Sequence, residues 1–136
     1  MNIRYQDSAD GVEAHQLQGF FVGWSIRPSC DNHLRLLRSS TKIALAIADD
    51  DAVVGFGTAL SDGVAAAYIP FLEVLPSHQR QGIGSELLRR LLDSLVDLYM
   101  VDLSCDPDVG AFYESLGMTP GSAMMIRRRD ALESLS

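Results

Sequence analysis

Apolar and polar positions follow two different rhythms along this chain, and the change of rhythm divides it. Three apolar runs, Ile43 to Ala48, Val53 to Leu60 and Ala65 to Leu75, are separated by the polar turns Asp49-Asp50-Asp51 and Ser61-Asp62-Gly63. Runs of this length between Asp- and Gly-containing turns predict consecutive antiparallel strands. From Ile83 to Leu98 the rhythm becomes helical. Leu87, Leu91 and Leu95 stand beside Leu88, Leu92 and Val96, and both series step by four, which makes one wide apolar stripe. Glu86 precedes Arg89 and Arg90 by helical ion-pair spacings on the outer side.

The flanks are shorter and more broken. Residues 2–6 form an expected first strand, and the polar turn Asp7 to Asp10 can cap a helix from Gly11 to Val22. A second helix is expected from Asp31 to Ser39, capped by Ser29, with Leu34, Leu36 and Leu37 on its apolar side. Trp24 to Pro28 lies between them as a loop. Beyond the long helix come a strand from Met100 to Ser104 and a helix from Asp106-Pro107-Asp108 to Leu116, which Gly117 stops. A last strand is expected from Ala123 to Arg127. The resulting order is β-α-α-β-β-β-α-β-α-β: an α/β (α+β) architecture with a mixed, mostly antiparallel central sheet flanked by helices, in a single domain over residues 1–136.

Composition narrows the function classes. With 136 residues and 47% hydrophobic content, the chain can bury a core without a disulfide or metal staple. A net charge of −7 argues against a broad nucleic-acid footprint, which needs a clustered basic face. The run Arg127-Arg128-Arg129 is short and reads as the solvated end of an edge strand. Two cysteines, Cys30 and Cys105, make no disulfide framework, so a cytoplasmic, reducing setting is expected. The N-terminus has no apolar signal core, and no stretch of ~20 apolar residues is present to span a membrane. His15, His33 and His78 have no metal-ligand spacing, so no metal is expected.

The chemistry concentrates where a strand ends, a glycine-containing loop follows and a helix begins: Leu72-Glu-Val-Leu-Pro-Ser-His-Gln-Arg-Gln-Gly-Ile-Gly84-Ser-Glu-Leu-Leu. The first N–H groups of a helix lack internal partners and carry the positive end of its dipole, a ready site for a pyrophosphate. Gly82 and Gly84 place no side chain between phosphate and backbone. A dinucleotide fingerprint fits poorly, although Asp102 lies twenty residues after Gly82. Leu87 occupies the place of its third glycine, and antiparallel strands precede the loop. Residues 72–88 instead resemble the acetyl-CoA signature of the GNAT superfamily of N-acyltransferases, Gln/Arg-x-x-Gly-x-Gly/Ala, matched by Gln79-Arg-Gln-Gly82-Ile-Gly84. Phe112-Tyr113-Glu-Ser-Leu116-Gly117-Met118 is similar to the superfamily's Phe-Tyr-x-x-x-Gly-Phe segment.

The resemblance implies an enzyme that transfers acetyl from acetyl-CoA to a primary amine of a small molecule. It implies that acetyl-CoA is held by Leu72, Val74, Gln79, Arg80, Gln81, Gly82, Ile83, Gly84, Ser85 and Tyr113, with the amides of residues 81–85 on the pyrophosphate. The Val74 N–H would polarise the thioester carbonyl, and the strand from Met100 would splay from the Leu72–Leu75 strand to admit the cofactor. Tyr113 is the expected acid for the leaving thiolate. For the base, superfamily positions six and four before Val74 hold Tyr68 and Pro70; proline cannot serve, which leaves Tyr68, the nearby Glu73 or an ordered water. His78 reads as a solvated residue or one beside the phosphates. Cys105 follows the cleft strand and could act as an acyl-accepting nucleophile or be a small apolar filler. A non-catalytic acetyl-CoA-binding module, a protein lysine or N-terminal acetyltransferase, and a homodimer remain alternatives open at this stage.

Overall fold

The computed structural model describes residues 2–136. Five strands form one sheet in the order β1 (Arg4–Gln6), β2 (Lys42–Ile47), β3 (Val53–Ser61), β4 (Ala66–Val74) and β5 (Met100–Asp102). The first four are antiparallel, and β5 lies parallel to β4. The turns are built by aspartates. Asp50 accepts from the Ala52 N–H at 3.0 Å, and Asp51 takes a left-handed φ of 68°. The Asp62 carboxylate accepts from the N–H groups of Val64, Ala65 and Ala66 at 2.8, 2.9 and 3.2 Å, which holds it well below the usual carboxylate pKa.

A parallel step needs a crossover, and α2 (Ile83–Ser94) supplies it between β4 and β5. The other face of the sheet carries α1 (Cys30–Ser39), whose cap Ser29 accepts from the Asn32 N–H at 3.1 Å. The two faces differ in grain. Ile43, Leu45, Ile47 and Phe56 pack toward α1 with Leu34 and Leu37. Toward α2 the same strands present Ala44 and Ala46, with Leu87, Leu88, Leu91 and Leu95 packed above. Gly55 and Gly57 complete this small-residue floor. A Cβ on Gly55 would fall 2.9 Å from Leu87 Cδ1, and one on Gly57 2.8 Å from Leu91 Cδ1. The helix therefore lies closer to the sheet than larger residues would permit.

Two expected elements are absent. In place of a helix from Gly11 to Val22 there is one 3₁₀ turn at Ala14–Gln16. Gly11, Gly19 and Phe21 take φ of 76°, 90° and 62°, which a right-handed helix excludes. Val12, Leu17, Phe20 and Phe21 are still buried, now from a loop. The strand expected from Ala123 to Arg127 is also missing: residues 118–128 have no regular structure, and every residue from 119 to 131 is exposed. A short α3 (Gly110–Ser115) precedes this stretch and α4 (Arg129–Glu133), not foreseen, follows it. The chain end then docks on α1, where the Leu135 carbonyl accepts from Ser29 N at 2.8 Å and from Asn32 Nδ2 at 2.9 Å. The long helix ends at Ser94 rather than Leu98, so Val96 is exposed instead of joining the stripe. The ion pairs on its outer face form as expected, with Glu86 bonded to both Arg89 and Arg90. No helix among the described residues is long and apolar enough to cross a membrane.

Candidate active site

At the end of β4 the chain makes a 3₁₀ turn, Pro76–His78, and then turns sharply into α2. Arg80 at φ 64° and Gly82 at φ 82° supply the two left-handed steps of that turn. Gln79 ties the loop to the strand it came from, its side-chain amide donating to the Val74 carbonyl at 3.1 Å. Gly82 is the residue before the helix, and its carbonyl accepts from the Glu86 N–H at 3.1 Å. The N–H groups of Ile83, Gly84 and Ser85 therefore have no partner within the helix. A Cβ on Gly82 would meet nothing within 4 Å, so glycine is favoured there by its φ, and the side facing the loop is open. Gly84 has a different role: a Cβ there would stand 3.6 Å from Phe112 Cζ and 3.7 Å from Val74 Cγ2, at the contact of α2 with β4 and α3. Free amides at the positive end of a helix, with an open approach, are chemically suited to a diphosphate.

Beside this loop the sheet opens. β4 and β5 pair only at Ala66–Met100, Ala67–Val101 and Tyr68–Asp102, while β4 runs on to Val74. The cause is in the sequence. Tyr68 opposes Leu60 and Phe71 opposes Thr58, so Ile69 and Pro70 together face Ala59 across the ladder. This is a bulge, and Pro70 within it has no N–H to donate. The far edge of β4 is thus left without a strand, across from Leu103, Phe112 and Tyr113, which pack against the α2-side core. Such an edge can pair with an extended ligand that carries amides.

The bulge also sorts the candidate residues by face. Ala67 and Ile69 belong to the α2-side core and Phe71 to the α1-side core. Tyr68, Phe71 and Glu73 consequently share the α1 side, while Leu72 and Val74 share the α2 side with Tyr113. Tyr68 is 40% exposed, and its hydroxyl donates to Ser104 Oγ at 3.2 Å across the neck of the opening. Glu73 accepts from the N–H groups of Phe21 at 3.0 Å and Val22 at 3.3 Å, which fastens the N-terminal loop to β4. What this loop delivers is not legible from residue pattern: Trp24, 40% exposed, with its ring 6.1 Å from Phe71 and 5.0 Å from Phe21. A lone tryptophan in a loop was the one available signal. An open groove of about 480 Å³ adjoins the neck, lined by Leu60, Asp62, Tyr68, Met100 and Asp102 among others.

Tyr113 is half-buried, and its pKa is raised above the usual 10.0, first by burial and then by the negative charge that Cys105 would carry as a thiolate. It stays a neutral phenol, a hydrogen-bond donor, at any physiological pH. Cys105 is exposed, which does not match the buried-filler reading. His78 is exposed and shares a 2.8 Å hydrogen bond with Ser77 through Nδ1. Among the described residues no cluster of His, Cys, Asp or Glu could hold a metal ion.

Relatives share both the sequence and the fold. An uncharacterised N-acetyltransferase, ycf52, of Porphyra purpurea is 33% identical over 119 residues, covering 83% of this chain and 68% of its own length. A crystal structure from Deinococcus radiodurans, described as a candidate acetyltransferase, superposes with a TM-score of 0.94 at 48% identity, over 96% of this chain and 92% of the other. A GNAT family acetyltransferase from Streptococcus pneumoniae superposes with a TM-score of 0.70 at 31% identity, over 94% and 98%. The family model for the acetyltransferase (GNAT) family matches residues 10–118. This chain belongs to the GNAT family of acetyltransferases.

Proposed function

We propose that the protein transfers acetyl from acetyl-CoA to the primary amine of a small molecule. The observation that carries this reading is the unpaired edge of β4 running directly into the free amides of α2. In this reading the amides of residues 81–85 bind the pyrophosphate, and the amide-bearing pantetheine arm extends along Leu72 and Val74. The thioester then lies beside Val74, on the edge of β4 that has no partner strand. Val74 N–H polarises its carbonyl, and Tyr113 approaches the sulfur from the α2 side. The amine enters from the α1 side, past Trp24 and Phe71. A small acceptor is favoured because the Phe21–Trp24 loop, held down by Glu73, narrows that side. The free thiols of the partly buried Cys30 and the exposed Cys105 fit a cytoplasmic, reducing setting.

Donor binding is tested at Gly82. Gly82→Asp puts a carboxylate beside the expected pyrophosphate, at a φ that aspartate tolerates better than most side chains. CoA affinity by calorimetry should fall at least tenfold, about 1.4 kcal/mol, with the circular dichroism spectrum unchanged. Wild-type affinity in a folded variant would remove the loop from the donor site.

Acceptor activation is tested by pH. An alkylamine has a pKa of about 10 and arrives protonated at neutral pH. A carboxylate at Glu73 attracts that ammonium, while the aromatic wall favours the neutral amine. The initial rate should therefore rise with pH through an apparent pKa below that of the free amine. Tyr68→Phe or Glu73→Gln should shift or flatten this profile. If neither substitution moves it for a true substrate, the proton leaves by water alone.

A further inference from the structure

The free edge of β4 is closed at one end only. Toward α2 it runs out into the glycine loop; toward the other end β5 rejoins it at Tyr68–Asp102. Just past that junction Ser104 stands on the opposite lip of the opening, and the Tyr68 hydroxyl donates to its Oγ at 3.2 Å. The tyrosine side chain therefore spans the opening where the two strands begin to part. On its β4 side the bulge at Ile69 and Pro70 follows at once, so the strand offers no regular ladder there.

Behind this bar lies a groove that the proposed reaction leaves unused. Leu60 opposes Tyr68 across β3 and β4, and Met100 and Asp102 oppose Ala66 and Tyr68 across β4 and β5. Opposed residues share a face of the sheet, so all of these project on the α1 side. The covering of that side stops short of them: Leu60 is 49% and Met100 43% exposed, whereas Phe56 and Thr58, earlier on β3, are fully buried. The groove measures about 480 Å³, and most of its lining is apolar. Of its carboxylates, Asp62 is engaged by the N–H groups of Val64, Ala65 and Ala66, which leaves Asp102. Such a lining suits a hydrocarbon chain.

We propose that Tyr68, tied to Ser104, is the residue that restricts the donor to a short acyl group, and that the groove behind it is a site for the tail of a longer acyl-CoA. The inference rests on the donor placement proposed above. With the pyrophosphate at α2 and the pantetheine arm along the free edge of β4, the acyl group points down that edge toward Tyr68. An acetyl group ends before the bar, and a longer chain runs into the tyrosine ring. The chemistry itself is indifferent to chain length. For any acyl group the amine nitrogen bonds to the carbonyl carbon, the carbon–sulfur bond breaks, and the proton lost by the amine ends on the sulfur of CoA. Selection among donors is then a matter of space, and the space is set by one side chain.

The test compares octanoyl-CoA with acetyl-CoA by calorimetry on the full chain, with no acceptor present. A role for Tyr68 in proton transfer would leave donor binding alone, so the ratio of the two affinities reads the bar and nothing else. Tyr68→Ala should shift that ratio about tenfold toward octanoyl-CoA, because each methylene removed from water favours binding. Tyr68→Phe loses only the hydrogen bond to Ser104 and should shift it less. Adding Leu60→Asp or Met100→Glu to Tyr68→Ala should cancel the gain for octanoyl-CoA and leave the affinity for acetyl-CoA where Tyr68→Ala set it. Both positions are exposed, and circular dichroism checks that the fold is kept. An unchanged ratio in folded Tyr68→Ala, or a gain that neither groove charge reduces, would overturn the proposal while the donor site stands. A wild type that binds no acetyl-CoA would overturn the donor placement itself, and this inference with it.

Discussion

Replacing Tyr113 by phenylalanine is expected to lower the turnover number for acetyl transfer about 10²-fold while leaving CoA affinity and melting temperature nearly unchanged. The ring and its contact with Phe112, 5.0 Å between centroids, are kept, and only the hydroxyl is lost. A hydrogen bond to a charged group contributes about 1.5–3 kcal/mol, and here the charge develops on the departing sulfur as the thioester breaks. The raised pKa fixes the form of this help. A phenol above 10 is a weaker acid than an ordinary thiol near 8.5, so the phenol first stabilises the thiolate as a donor. The sulfur receives its proton once the amine has released one. The raised pKa also means that no loss of rate below pH 10 should come from ionisation of Tyr113. Pre-steady-state measurement separates chemistry from product release. An unchanged rate of the chemical step in Tyr113→Phe would return the residue to a packing role.

The second large effect concerns stability. His33 is 1% exposed, edge-on to Phe20, Phe21 and Phe56 at centroid distances of 5.4, 4.9 and 4.3 Å. Burial lowers its pKa from 6.5 to about 4. Between those values the unfolded chain holds a proton that the folded chain does not, so the stability that depends on neutral His33 is fully present above pH 6.5, declines as pH falls toward 4 and is gone below, where this slope levels off. The full contribution is about 3 kcal/mol. Urea unfolding should therefore show a steep loss between pH 7 and pH 4, and His33→Leu should flatten it. The leucine also removes a buried nitrogen, Nε2, that has no hydrogen-bond partner. Asp62 and Glu86, whose pKa values are lowered, begin to lose their contributions only below the usual carboxylate values, so the upper part of the His33 window, from pH 6.5 to about 5, is clear of them. Equal slopes in wild type and His33→Leu would show that His33 is protonated within the fold.

What could be read from the sequence was local. The strands β2, β3 and β4 follow from apolar runs broken by aspartate turns, and α2 follows from leucines stepping by four. The glycine loop at the start of α2 was legible because what defines it, a sharp turn that leaves the first helical amides free, is built by adjacent residues. The N-terminal loop was misread because Gly11, Gly19 and the left-handed Phe21 break a pattern that otherwise has helical spacing. Its fixing point, the Glu73 carboxylate, is remote in sequence. The wall formed by Trp24 and Phe71 was illegible for a related reason: which face Phe71 takes depends on the bulge at Ile69 and Pro70. The stretch from Ala123 to Arg127 has the composition for a ladder, and it pairs with no strand among the described residues.

The fine-grained floor beneath α2 has a consequence for how donor affinity can drift. Gly55, Gly57, Ala44 and Ala46 act as the shim that sets the height of the helix over the sheet. In the function proposed above the same helix would present its first amides to the donor, and Cγ2 of Ile83, its first residue, lies 3.2 Å from where a Cβ on Gly55 would be. One added methyl in β3 would thicken the shim, and the displacement would be felt at the other side of the helix, where no atom of β3 reaches. If the α2 amides hold the donor as proposed, its affinity is in part a tolerance on spacing, set from the far side of the helix by residues of the sheet floor.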